Sequence, residues 1–193
     1  MEGFEEYLEA IGISIAIYLL NTYRYDKAIG VFKECLVLLN SDGMRTMQVL
    51  LDVRKQLTLI VHSRLGTAYY FVHDLKSAID YYDKALALAK GMKNKKGECT
   101  NYGNLGNTYL KAGEYEKAIE YSAKALEISQ AIGNKREESI NNGNLGSVYQ
   151  CLGDYPRSLE YHKRSLEINK ELRDFEGEAQ DYNNIGDVHK SLC

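Results

Sequence analysis

The sequence predicts an all-α fold, a right-handed superhelical solenoid of four helical hairpins plus one further helix. Three observations carry that prediction. Short motifs recur at a fixed interval of 40 residues, and the apolar positions within each recurrence follow a helical period. The chain of 193 residues also holds one proline and no tryptophan, which speaks against a turn-rich β-sandwich.

The recurrence is clearest at Leu65-Gly66, Leu105-Gly106, Leu145-Gly146 and Ile185-Gly186. A tyrosine follows three residues after the glycine at Tyr69, Tyr109 and Tyr149, with His189 in the fourth copy. Ala78-Ile79, Ala118-Ile119 and Ser158-Leu159 keep the same interval. An earlier, degenerate copy is visible in Tyr25-Asp26-Lys27-Ala28-Ile29. Ala28 precedes Ala78 by 50 residues, so about ten extra residues lie between these units. The chain therefore reads as one array over 1–193, with units at about 8–41, 54–92, 94–132 and 134–172, a partial unit at 174–193, and an insertion at 42–53. Its last helix looks like the first half of a hairpin, as in a fragment of a longer array.

Each unit reads as two amphipathic helices. Leu105, Gly106 and Tyr109 share one face of the first; Ala118, Ile119, Ser122, Ala125, Leu126 and Ile128 form the packing side of the second. A glycine within a helix costs about 1 kcal/mol relative to alanine, so its recurrence calls for close packing against a small residue such as Ala78, Ala118 or Ser158. Gly113 and Gly153 suit the positive φ that ends a helix. Asp154 can cap the next one, and Pro156 fits its first turn. The 16 tyrosines fit rings packed between hairpins with hydroxyls at the surface. In the insertion, Met44, Met47, Leu50, Leu51 and Leu57 form a helical stripe that either extends the following helix or offers an adaptable contact.

These motifs resemble the tetratricopeptide repeat family over essentially the whole chain. The 40-residue interval exceeds the usual 34 of that family and is similar to the LGN/Pins-type and rapsyn-like arrays. The resemblance implies a scaffold or adaptor that binds an extended or helical peptide segment of a partner protein in a concave groove lined by first helices. The implied groove row is Arg64, Asn104, Asn144 and Asn184, and the carboxamides of its asparagines can grip a peptide backbone of any sequence. Beside it run Thr67, Asn107, Ser147 and Asp187, and a turn earlier Val61, Asn101, Asn141 and Asp181. Gly103 and Gly143 would let a ligand backbone come close. The basic clamp of chaperone-binding members is largely missing, since Thr100, Gly103, Asn104 and Asn107 occupy its positions. Two alternatives stand beside this reading: a structural unit that self-associates through its open C-terminal helix, and a regulatory array of a larger multidomain protein.

No chemistry-bearing constellation stands out, so no enzyme activity, metal or cofactor is expected. His62, His73, His162 and His189 fall at unlike repeat positions, without metal-ligand spacing. Cys35, Cys99, Cys151 and Cys193 show no CxxC pair, and the reading is cytoplasmic. Lys90, Lys93, Lys95 and Lys96 suit a helix C-terminus and its turn, and the net charge of −3 gives no pull toward nucleic acid or membrane.

Overall fold

The computed structural model describes the backbone of residues 2–39 and 48–192, and among these every regular element is an α-helix. Two compact units divide the chain, Met1–Met92 and Lys93–Cys193. The first contains α1 (Glu2–Asn21), α2 (Tyr25–Leu39), α3 (Gln48–Phe71) and α4 (Leu75–Gly91). The second contains α5 (Lys95–Ala112), α6 (Tyr115–Ala131), α7 (Lys135–Cys151), α8 (Tyr155–Leu172) and α9 (Phe175–Ser191).

Local chemistry fixes where the helices start and stop. Asp74, Asn94, Asn134, Asp154 and Asp174 each accept a hydrogen bond from the backbone N–H three residues on, satisfying a donor that the first turn would leave orphaned. Glu114 holds the same place without a side-chain cap. The turns within and between hairpins place a residue in the left-handed region. Gly113 (φ 77°), Gly133 (φ 68°) and Gly153 (φ 76°) supply it without strain; His73 and Arg173 adopt it at φ 65° and 55°. Met44 and Met47 lie outside the described residues. α3 begins at Gln48.

In the first unit Ile13, Ala16 and Leu20 of α1 pack with Ala28, Phe32, Cys35 and Leu39 of α2 and with Val61, Leu65 and Ala68 of α3. In the second, Leu105, Ala118, Ala125, Leu145, Val148 and Val188 form the buried apolar spine. A hairpin cannot bury its apolar face alone, and each unit buries its own by stacking neighbours.

On α3, α5 and α7 the second helix comes close to the glycine notch as expected, and the side chain that fills it stands four residues beyond the small residue; at Gly106 the Ala118 carbonyl also lies 3.3 Å from a built Cβ. A Cβ on Gly66 would fall 2.6 Å from the Tyr82 ring, one on Gly106 would collide with Ser122 Oγ, and one on Gly146 would fall 2.7 Å from His162. Ala78, Ala118 and Ser158 are buried beside these knobs. The tyrosines pack both within and between hairpins. Tyr69–Tyr81, Tyr109–Tyr121 and Tyr149–Tyr161 pair at 5.4, 5.2 and 5.5 Å across the two helices of one hairpin, while Tyr25 of α2 stacks on Phe71 of α3 at 4.9 Å between hairpins. Cations cover several rings, among them Lys117 over Tyr109 and Arg157 over Tyr149.

Candidate functional site

In the second unit the first helices of successive hairpins touch, α5 against α7 and α7 against α9. Their shared face carries a row at 40-residue intervals: Asn104, Asn144 and Asn184, all half-buried. Next to it lie Asn107 and Ser147, half-buried, and Asp187, exposed. Thr100 donates to Glu137 Oε1 at 3.1 Å, tying α5 to α7 on this side.

The hydrogen-bonding state of the row distinguishes its members. The side chains of Asn104, Asn107 and Asn144 engage no partner among the described residues. Asn184 Oδ1 accepts from Gln180 at 2.9 Å, Ser147 Oγ donates to the Gly143 carbonyl at 3.0 Å, and Asp187 pairs with Lys190 at 3.0 Å. Three carboxamides thus keep both donors and an acceptor for something outside the chain.

The third predicted row belongs inside the protein. Asn101, Asn141 and Asp181 are 1%, 0% and 3% exposed. Three residues back along a helix is about 60° round its axis, enough to turn a side chain from the open face into the packing between hairpins. There Asn101 and Asn141 return their Nδ2 to the carbonyls of Gly97 and Glu137, four residues back, at 2.9 and 2.8 Å. Asp181 accepts from Asn169 Nδ2 at 2.7 Å, and Ser139 donates to the same Asn169. Burial pushes the Asp181 carboxyl above the usual range, against the pull of hydrogen bonds from Ser165 and Asn169. Gly103 is likewise occupied: its missing Cβ makes room for Asn141 Oδ1, 2.7 Å from where that carbon would sit. That notch serves hairpin stacking rather than a ligand. Gly143 remains half-buried, with Ser165 Oγ 3.8 Å from a built Cβ.

Arg64 and Thr67 lie on α3 in the first unit. Arg64 is exposed; Thr67 donates to the Ser63 carbonyl at 3.0 Å and accepts from the Tyr82 hydroxyl at 3.1 Å.

Two residues on the face of α7 escaped sequence reasoning. Ile140 is 48% exposed one turn before Asn144, and Cys151 is the exposed thiol one turn after Ser147. Residues 140, 144, 147 and 151 form a single helical stripe, so extending the asparagine row by one turn each way would have found both. Burial pushes the thiol of Cys99 up to about 12, with Glu137 adding to the effect. Among the described residues no three His, Cys, Asp or Glu side chains gather as a metal site, and no helix is long and apolar enough to cross a membrane.

The profile of the tetratricopeptide repeat family matches residues 57–131, 97–171 and 136–193. No curated protein matches the chain. Among solved structures, BtubC from P. vanneervenii superposes with a TM-score of 0.76 at 22% identity, covering 93% of this chain and 71% of that one. Aspartyl phosphate phosphatase F from Bacillus subtilis gives 0.78 at 14% identity, over 96% of this chain and 49% of that one. A structure of tetratricopeptide-like repeats of a Podosopora anserina kinesin light chain gives 0.71 at 10% identity, over 95% of this chain and 85% of that one. At such identities the likeness is one of fold.

Proposed function

This chain belongs to the tetratricopeptide repeat family, and from that premise we propose that it is a protein-interaction module holding an extended or helical peptide segment of a partner. The segment lies along the first-helix face of α5, α7 and α9, where Asn104, Asn144 and Asn184 take its backbone amides. Asn107, Ser147 and Asp187 flank it, and Ile140 offers an aliphatic side chain of the ligand an apolar seat. In the first unit Arg64 and Thr67 hold the corresponding positions. What supports this reading is the state of Asn104, Asn107 and Asn144, whose carboxamides have no partner among the described residues. Their neighbours Asn101 and Asn141 are fully drawn into the fold, so the open ones are not simply the helix's structural asparagines.

Repeats of this family typically act as scaffolds rather than catalysts, and the 40-residue interval supports the longer-period subgroup. A cytoplasmic setting agrees with the free thiols Cys35, Cys99 and Cys151.

The test begins with selection of binding peptides from a random library on the 193-residue chain. The selected peptide is then titrated against Asn104→Ala/Asn144→Ala. Two hydrogen-bonding groups at about 1 kcal/mol each predict a loss of about tenfold or more in affinity. Unaltered binding with an unaltered helical melt would remove the asparagine row from the proposal.

A further inference from the structure

The asparagine row of the second unit is flanked by charges that change sign from α5 to α9. One level of the face carries Lys96 on α5, Arg136 on α7 and Glu176 on α9, all exposed and 40 residues apart. At another level Asn107 and Ser147 give way to the exposed Asp187, and α5 adds a second exposed cation, Lys111. Helix stability does not account for the first-turn cations, because the positive end of the helix dipole opposes them. Lys95, not Lys96, pairs with Glu98, and Arg136 reaches Asp174 only at 3.8 Å. On α7 this face stays open with α8 and α9 both packed against that helix, so Glu176 and Asp187 lie on it regardless of what packs after α9.

Resting on the peptide-binding reading of this face, we propose that the partner segment is extended, with a three-residue period, and charged in a fixed order: a carboxylate against α5, an aliphatic side chain against Ile140 of α7, and a cation against α9. The open carboxamides of Asn104 and Asn144 call for a ligand backbone with free N–H and C=O groups. A helical segment spends those groups on itself, whereas an extended one of polyproline type leaves them all to be bound. The spacing agrees. Touching helices lie about 8–10 Å apart, and α5 is tied to α7 by the hydrogen bond from Thr100 to Glu137. A polyproline-type segment rises about 3.1 Å per residue, so three residues, one full turn, cover about 9 Å. Every third residue of such a segment therefore meets the next asparagine with the same side.

The charges stand at unequal distances from the row. Lys111 and Lys96 are about 10 and 12 Å along α5 from Asn104, close to one screening length at about 0.1 M salt. They attract a long acidic side chain without fixing it. Asp187 is about 4.5 Å along α9 from Asn184, within direct reach of a ligand guanidinium. Its present partner is Lys190 at 3.0 Å, and both side chains are well exposed, so exchanging that partner for a ligand cation costs little. Ile140, 48% exposed one turn before Asn144, fixes the aliphatic residue at the middle step.

Fluorescence polarisation with three labelled peptides on the 193-residue chain tests the charge order. The first is Ser-Glu-Pro-Ala-Leu-Pro-Ala-Arg-Ser, whose prolines hold it extended; the other two carry glutamate at both charged places or arginine at both. The mixed peptide is expected to bind about fivefold tighter than either uniform one at about 50 mM salt, with the preference shrinking at about 0.5 M. Lys96→Glu/Lys111→Glu should turn the preference toward the doubly basic peptide, and Glu176→Lys/Asp187→Lys toward the doubly acidic one. A mixed peptide that fails to bind, that binds no tighter than the uniform pair, or whose preference ignores both charge variants overturns the proposal. Asn104→Ala/Asn144→Ala separates this from the groove itself. If library-selected peptides lose affinity in that variant while the three probes bind alike, the groove reading stands and the charge order falls. If neither the selected peptides nor the mixed probe respond to it, the groove reading falls and the proposal with it.

Discussion

His162 stands over Gly146 so closely that a Cβ on that glycine would fall 2.7 Å from its Cε1. The ring is fully buried, and neither nitrogen has a hydrogen-bond partner among the described residues. In this hairpin the imidazole acts as a flat, neutral filler, in the position that Tyr82 and Ser122 hold over Gly66 and Gly106.

The first expected outcome contrasts two glycines at the same repeat position. Gly146→Ala forces a buried ring to move and is expected to destabilise the chain by about 1–3 kcal/mol, the usual cost of overpacking. Gly186→Ala meets nothing within 4 Å and gains helix propensity, so it is expected to stabilise by about 0.5–1 kcal/mol. Urea denaturation at low protein concentration measures both, and equal effects from the two would contradict packing as the reason for the glycine.

The second concerns acid. Burial lowers the His162 pKa from 6.5 to about 4, so below pH 6.5 the unfolded chain takes up a proton that the folded chain refuses. The stability held by the neutral ring is complete above pH 6.5 and declines as pH falls toward about 4, below which this contribution is flat. The full decline is on the order of 3 kcal/mol. His162→Ser, which borrows the residue found at position 122, should flatten the pH 4–6.5 slope of the melting temperature. A residual slope is expected from His62, whose pKa burial also lowers, with Lys84 adding to the effect. An unchanged slope in the variant would show that the imidazole is solvated.

Much of the fold was legible because the signals are local. A Leu-Gly pair, a turn glycine and an Asp or Asn cap each act through their own few residues, and Gly113, Gly153, Asp154 and Pro156 play the parts their chemistry indicates. The knob that fills each notch was not legible, because it depends on the rotation of the second helix about its own axis. Ala118 and Ser122 share one helix face and both approach Gly106, but only the packed hairpin picks the Ser122 side chain to fill the notch. The asparagines misled for a related reason. Asn141 and Asn144 differ by three residues and carry the same side chain; one closes on a carbonyl four residues back inside the protein, the other opens outward. Polarity alone cannot separate them when a helix supplies the buried one with its own acceptor.

That distinction yields the third expectation. Asn141→Ala removes a fully buried carboxamide bonded to the Glu137 carbonyl and packed over Gly103, and should cost about 1–3 kcal/mol of stability. Asn144→Ala removes a half-buried group with no partner among the described residues and gains helix propensity, so stability should hold or rise by about 0.5 kcal/mol. Chemical denaturation of the two single variants checks the ordering, and the reverse ordering would place the open face on the wrong side of α7.

The last concerns the carboxylate that fastens α9. Asp181 is 3% exposed and faces Asn169 and, through it, Ser139, with Ser165 also donating; none of these carries a positive charge. Its folded pKa lies above the unfolded value of 3.8, so at neutral pH the fold bears the cost of a buried anion and is relieved of it as pH falls through the raised value. The sign is opposite to that of His162. At the two equivalent positions the chain places Asn101 and Asn141, which return their amide to the carbonyl four residues back. In Asp181→Asn the new amide can reach the Gly177 carbonyl in the same way while its oxygen still accepts from Asn169. The variant should therefore be more stable than the parent at pH 7 by about 1 kcal/mol, with the advantage vanishing as the parent's carboxyl is protonated. Hydrogen exchange of the α9 amides at pH 7 and under acid conditions measures it where it acts. If the variant exchanges faster at pH 7, the charged form is being stabilised by its hydrogen bonds rather than penalised by burial.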